Sequence, residues 1–169
     1  VPHNDRGVQL RSVPFEDDDV QHLVAEVQAY YVSIYGGPDE SPIVDGEFAA
    51  PRGAFVLATD DTGPVAMGGW RRRDDLVRLF GAPVAEVKRM YVSPRARRRG
   101  VSRLVLADLE RTARLAGVAV MVLETGIIQG DAIALYESCG YSRTIDFGHY
   151  ADSDLSRCYA KSLLHGGAT

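Results

Sequence analysis

A mixed α and β fold around one sheet is what three features of the 169-residue chain predict: apolar residues at helical spacing in two stretches, two short runs joined by a turn, and one continuous β-branched run. Residues 8–13 read as a short strand. Residues 15–19 then turn into a helix whose first residues are acidic, as the positive end of a helix dipole favours. Val20, Leu23, Val24, Val27, Tyr31 and Ile34 follow at 3.6-residue spacing, and Gly36, Gly37 and Pro38 close the helix near Tyr35. Residues 36–53 carry little pattern. Residues 54–59 and 65–71 flank Asp60-Asp61-Thr62-Gly63 and read as a hairpin.

A further strand is expected over residues 85–92, ahead of Pro94, and a helix opens near Arg99. Val101, Leu104, Val105, Leu109, Ala113 and Ala116 make one apolar stripe, with Gly117 at the left-handed position that ends many helices. Residues 118–123 are continuously apolar, the pattern of a strand buried on both faces. A short helix over 132–138, strands near 141–145 and 157–163, and a loose tail from His165 complete the reading. With no repeat and no linker rich in Gly, Ser or Pro, residues 1–169 are expected to form a single domain.

The composition fits a globular protein: 46% hydrophobic and 25% charged residues, with a formal net charge of −4 that argues against general nucleic-acid binding. Two cysteines without CxxC spacing make a disulfide framework or a cysteine-rich zinc site a poor reading, and His3, His22, His149 and His165 have no metal-ligand spacing. No metal is therefore expected. Residues 1–7 carry no apolar run and no stretch is long enough to span a bilayer, so the expectation is a cytoplasmic protein that does not act at a membrane. Patterns for a nucleophile elbow, a P-loop or a dinucleotide fold are missing.

The most informative stretch runs from Val92 through Ser93-Pro94-Arg95-Ala96-Arg97-Arg98-Arg99 to Gly100, Val101 and Ser102. It sets a basic, glycine-containing loop between a strand and an amphipathic helix. Free N–H groups at the helix start, the dipole and the arginines together favour a phosphate, although the same arginines also read as a solvated charge run. Val92, four residues, Arg97, two residues, Gly100, Val101 and Ser102 resemble the pyrophosphate-binding motif of the GNAT superfamily of N-acetyltransferases, with Ser102 replacing the family's Gly or Ala. Ala134-Leu135-Tyr136-Glu137, followed after two residues by Gly140-Tyr141, resembles that family's second signature, with Gln129 where an Asn is usual.

This resemblance implies a central twisted sheet of about six to seven strands, flanked by about four helices, whose parallel strands splay to admit the pantetheine arm of acetyl-CoA as co-substrate. Met90, Tyr91 and Val92 would bind that arm. Arg97, Arg98, Arg99, Gly100, Val101 and Ser102 would hold the pyrophosphate, Gln129 would keep a polar contact, and Arg95 or Arg98 would meet the 3′-phosphate. The implied reaction moves an acetyl group to a primary amine of a small molecule or of a peptide or protein by direct attack in a ternary complex. Glu86, six residues before Val92, is at the family's spacing for the base, with Glu124 in reserve, and Tyr136 matches the general acid. Open alternatives are that Glu86 merely pairs with Lys88 or an arginine, and that the Tyr136 ring merely fills the core. Tyr30, Tyr31, Tyr35 and Trp70 are candidates for the acceptor side or for plain core. A homodimer is frequent in the family. The competing function is a catalytically silent acyl-CoA-binding regulatory module.

Overall fold

The structure is a computed structural model and describes residues 7–164; the tail expected from His165, and His3, lie outside these residues. In chain order it contains β1 (Gln9–Ser12), α1 (Asp18–Tyr35), β2 (Gly53–Asp60), β3 (Gly63–Arg72), α2 (Val77–Phe80), β4 (Val84–Val92), α3 (Val101–Leu115), β5 (Val120–Gly126), α4 (Gly130–Ser138), β6 (Ser142–Arg143) and β7 (Ser156–Ser162). The strands form a seven-stranded sheet in the order β1-β2-β3-β4-β5-β7-β6. Only β4 and β5 run parallel; the other neighbours are antiparallel.

Alternation along β2 explains the layers. Phe55 and Leu57 join Val20, Leu23 and Val27 of α1 on one face, whereas Val56 and Ala58 join Val105, Leu109 and Ala113 of α3 on the other. Full burial of one such aliphatic side chain contributes about 1.5–3 kcal/mol, so the two helices are held chiefly by these stripes. At the start of α1 the Asp17 carboxylate accepts from the N–H groups of Asp19 and Val20 at 3.0 and 3.4 Å, and at its end Gly36 takes the left-handed conformation.

Three expectations shift. The run at 118–123 becomes a strand over Val120–Gly126, because Val118 N–H closes α3 on Ala113 O while β7 pairs with Glu124, Thr125 and Gly126 despite their polarity. The strand expected over 141–145 keeps only Ser142 and Arg143 in the ladder, since Tyr141 turns inward to give its hydroxyl proton to Glu110 at 3.0 Å. Between β3 and β4, a 3-10 turn and α2 had no signal in the sequence.

The feature that matters for function is where β4 and β5 part. Their register covers Val84–Glu86 against Val120–Val122 and stops there, although both strands continue. From Val87 onward the edge of β4 that faces β5 has no strand partner. A bulge accompanies the divergence: Gly69 pairs with Lys88 and Met67 with Tyr91, so Arg89 and Met90 stand against Gly68 alone, with Arg89 at a φ of 57°. This is the splayed parallel pair that the resemblance implied.

Candidate active site

Two adjoining clefts open where the strands diverge, of about 830 and about 460 Å³, and they share Tyr31, Met90, Gln129, Ala132 and Tyr136 on their walls. The larger is lined by Met90, Tyr91 and Val92 of β4, by Arg97, Arg98 and Gly100 of the connecting loop, and by Val101 and Ser102 of α3. The residues of the sequence-derived grip other than Arg99 thus lie on one surface.

Its loop begins with a 3-10 turn over Pro94–Ala96 and passes through two left-handed residues, Arg98 at 61° and Gly100 at 76°. Gly100 needs that freedom because side chains strain at such a φ. No side chain caps α3, so the N–H groups of its first turn remain to bind an anion at the positive end of a fifteen-residue helix. Val101 is itself buried in the core; only its main chain belongs to the site.

The arginines divide by direction. Arg97 donates from Nε to Val92 O at 3.3 Å and lies over the Tyr30 ring at 5.9 Å. Arg98 is exposed and lines the cleft. Arg99 instead reaches the hairpin, where Nη1 meets Asp60 at 2.7 Å, and Arg95 reaches Thr62 at 3.2 Å and the carbonyl of Pro64. Bonds from Thr62, then from Arg99, hold the Asp60 carboxyl down at about 2. Neither the Arg95 nor the Arg99 side chain lines the cleft, contrary to the expectation that Arg99 would hold the pyrophosphate and that Arg95 could meet the 3′-phosphate.

The smaller cleft collects titratable groups. Glu124 extends from β5 just past the point of divergence and lines it with Tyr136 of α4. Burial raises the Glu124 carboxyl to about 7; Lys88 opposes this, and Glu86 and Asp39 add to it. Tyr136 is 6% exposed, packs edge-on against Tyr141 at 5.8 Å, and is pushed above the ordinary phenol range by burial. Its hydroxyl has no hydrogen-bond partner among the described residues. Gln129 spends its amide on Tyr35, donating at 3.2 Å. Tyr31 and Tyr35 line this cleft and Tyr30 the larger one, whereas Trp70 is core, donating to Thr112 at 2.9 Å beneath α3.

Glu86 is placed differently from its expected role as base. It lies directly across from Arg71 in the β3–β4 ladder, 3% exposed, and its Oε2 receives Arg71 at 3.1 Å and Arg73 at 2.6 Å. It does not line either cleft. The pairing is with two arginines, not Lys88, which instead donates to Ser41 at 2.6 Å and lies 3.7 Å from Asp39. Because Arg71 keeps Glu47 at 2.6 Å and Arg73 keeps Asp75 at 2.7 Å, substitution Glu86→Gln should lower stability by about 1–3 kcal/mol, the cost of weakening charge-assisted hydrogen bonds, as read from denaturant midpoints.

Sequence reasoning missed Asp39, Ser41, Lys88 and Arg89 as site residues. Asp39 and Ser41 lie in the unpatterned stretch, and the bulge that turns Lys88 and Arg89 to the same carboxylate has no sequence signature. No helix among the described residues is long and apolar enough to cross a membrane, and no group of three or more metal-ligating side chains occurs among them.

Comparison with known proteins agrees with this geometry. An IAA acetyltransferase of Azospirillum brasilense is 33% identical over 153 residues, covering 90% of this chain and 95% of that protein. A mouse protein named as a probable N-acetyltransferase, family 8 member 5, is 27% identical over 160 residues, covering 92% and 61%. The solved structure of a candidate acyl-CoA N-acyltransferase from Klebsiella pneumoniae superposes with a TM-score of 0.75 at 25% identity, covering 93% of this chain and 98% of that one. Residues 18–141 match the family model described as the Acetyltransferase (GNAT) family. That span carries the splayed strands, the uncapped helix, the whole lining of the larger cleft and most of the lining of the smaller one, and the chain belongs to the GNAT family of acetyltransferases.

Proposed function

We propose that the protein is an N-acetyltransferase that moves the acetyl group of acetyl-CoA to a primary amine by direct attack in a ternary complex. The observation that carries this reading is the gap between β4 and β5, which has the uncapped α3 at one end and Glu124 with Tyr136 at the other. The free edge of β4 at Met90, Tyr91 and Val92 suits an extended amide-bearing arm, and the loop from Arg97 to Ser102 suits a pyrophosphate. Charge-assisted N–H bonds to phosphate are about twice as strong as neutral ones, so this grip needs few side chains. Arg98, free to face the cleft, is the better candidate for the 3′-phosphate.

Glu124 takes the role first assigned to Glu86. An ammonium with a pKa near 10 loses its proton to a base poised near neutrality, as burial poises Glu124. The freed amine attacks the thioester carbonyl, a main-chain N–H of β4 near the bulge stabilises the oxyanion, the C–S bond breaks as the thiolate takes the Tyr136 proton, and the excess proton on the new amide nitrogen passes through water to restore the phenol. The cleft that desolvates the phenol also desolvates the departing thiolate, which raises the thiol pKa and narrows the mismatch between the two. Glu124 and Tyr136 at one cleft favour an enzyme over a silent cofactor sensor, which needs only the phosphate grip.

The test is a screen of amines for acetyl-CoA-dependent release of free thiol; no release from any amine, with cofactor bound, would leave the sensor. The grip has its own test. Gly100→Val puts a β-branched residue at a φ of 76° and should weaken acetyl-CoA binding about tenfold or more, the loss of one charge-assisted bond. Calorimetry on folded variant with unchanged affinity would refute the phosphate-loop assignment.

A further inference from the structure

Lys88 and Arg89 are consecutive residues, yet both reach one carboxylate. The bulge at Arg89 redirects the strand, so that Arg89 Nη1 pairs closely with Asp39 and Lys88 Nζ lies 3.7 Å from the same oxygen. All three line the smaller cleft beside Glu124. Asp39 is fully ionised at neutral pH, since Lys88, Ser41 and Arg89 outweigh its burial and hold its carboxyl at about 2. Two buried cations thus share one anion at this point of the cleft, whose other charged lining residues are Glu40 and Glu124.

The second observation is an orphan. Arg89 is 9% exposed, and its Nε is buried with no hydrogen-bond partner. Buried donors are nearly always satisfied, and an arginine presents its N–H groups as a planar fork that matches a carboxylate in bidentate fashion. Asp39 occupies Nη1, which leaves the Nε side for a second planar anion. Holding an arginine at positive φ is itself unfavourable, and such strain persists where the side chain has a task in the site.

We infer that the acceptor carries a carboxylate as well as its amine, an α-amino acid or a compound of that type, with the carboxylate held by Arg89 and Lys88 and the amine turned toward Glu124. The inference rests on the acetyltransferase reading and deepens it. Opposite charges at the two ends of the acceptor meet opposite charges in the cleft: its ammonium faces the Glu124 carboxylate and its carboxylate the Lys88–Arg89 pair. Tyr31 and Tyr35 on the same wall offer apolar ring surface to a side chain between them.

The experiment compares L-phenylalanine, L-methionine and L-glutamine with their carboxamides, by thiol release and by binding to the CoA-loaded protein. It uses the parent, Arg89→Asn and Lys88→Gln. Asn tolerates positive φ, so the first variant keeps the bulge, and Lys88→Gln tests the same anion from the neighbouring residue. Taking the acid-to-amide ratio in each protein cancels differences in amine reactivity. The parent should prefer an acid over its amide by about tenfold or more, the scale of one charge-assisted bond, and each variant should lose that preference. Equal use of acids and amides in the parent, or a preference untouched in both variants, overturns the inference and leaves the acetyltransferase reading standing. Preference in binding without thiol release keeps Arg89 and Lys88 as a carboxylate site but overturns its assignment to an acceptor, along with the catalytic reading. Neither release nor preference removes both.

Discussion

Replacing Glu124 by Gln is expected to lower kcat/KM with a good acceptor by about 10² to 10⁴, the usual contribution of a positioned base. It should also change the shape of the pH profile. With its carboxyl raised to about 7 by burial, the parent should gain activity about tenfold per pH unit up to near that value and then level; the variant should lack this limb. The groups that act on Glu124 are Lys88, Glu86, Asp39, the Ser156 hydroxyl and the Cys158 thiol, the last 4.0 Å away. Asp39 stays charged across the range, and burial lifts the Cys158 thiol to about 12, so neither titrates near 7. Stability gives an independent sign. A carboxyl raised in the fold disfavours the native state as pH climbs from its ordinary 4.5 to about 7. Glu124→Gln removes that penalty and should melt higher than the parent at pH 8. A variant with full activity and an unchanged pH limb would return the search for the base to water or to another residue.

Tyr136→Phe should lower turnover by about 10² to 10⁴ while leaving affinity for acetyl-CoA and the melting temperature nearly unchanged. The expectation of unchanged stability has a structural basis. The ring packs against Tyr141 and the α3 side of the core, but the hydroxyl has no hydrogen-bond partner among the described residues. Removing it forfeits no internal bond. If the ring were only filler, Phe would serve as well as Tyr, and rates measured at saturating substrates, with chemistry limiting, would be equal. Cofactor binding measured on the same sample separates a lost proton donor from a damaged site.

Much of this site was legible because parts of it depend on local rules. The proposed grip would use main-chain groups, so its signature is a glycine at a helix entrance behind a basic loop, and Arg97, Gly100 and Ser102, which the resemblance singled out, line the cleft. Tyr136 lines the cleft, on the short helix where the second signature put it. The proposed base was harder to pick out. Glu86 and Glu124 are both strand glutamates, and nothing local separates them. What does is the cross-strand neighbour: Arg71, with Arg73 close behind, neutralises Glu86, whereas Glu124 faces the gap.

The sequence by itself determined the mixed order of helices and strands, the hairpin, the basic glycine-containing loop ahead of α3 and the family, because periodicity, turn residues and cap positions act within a few residues of one another. Only the tertiary structure decided where β4 leaves β5, which arginines turn to the hairpin and which to the cleft, and that Asp39 meets Lys88 and Arg89 across about fifty positions of chain. Those outcomes depend on burial and on pairing between distant segments. A charge takes its role from what surrounds it, since desolvation and neighbouring ions, not residue type, decide whether a carboxylate is a counterion or a base.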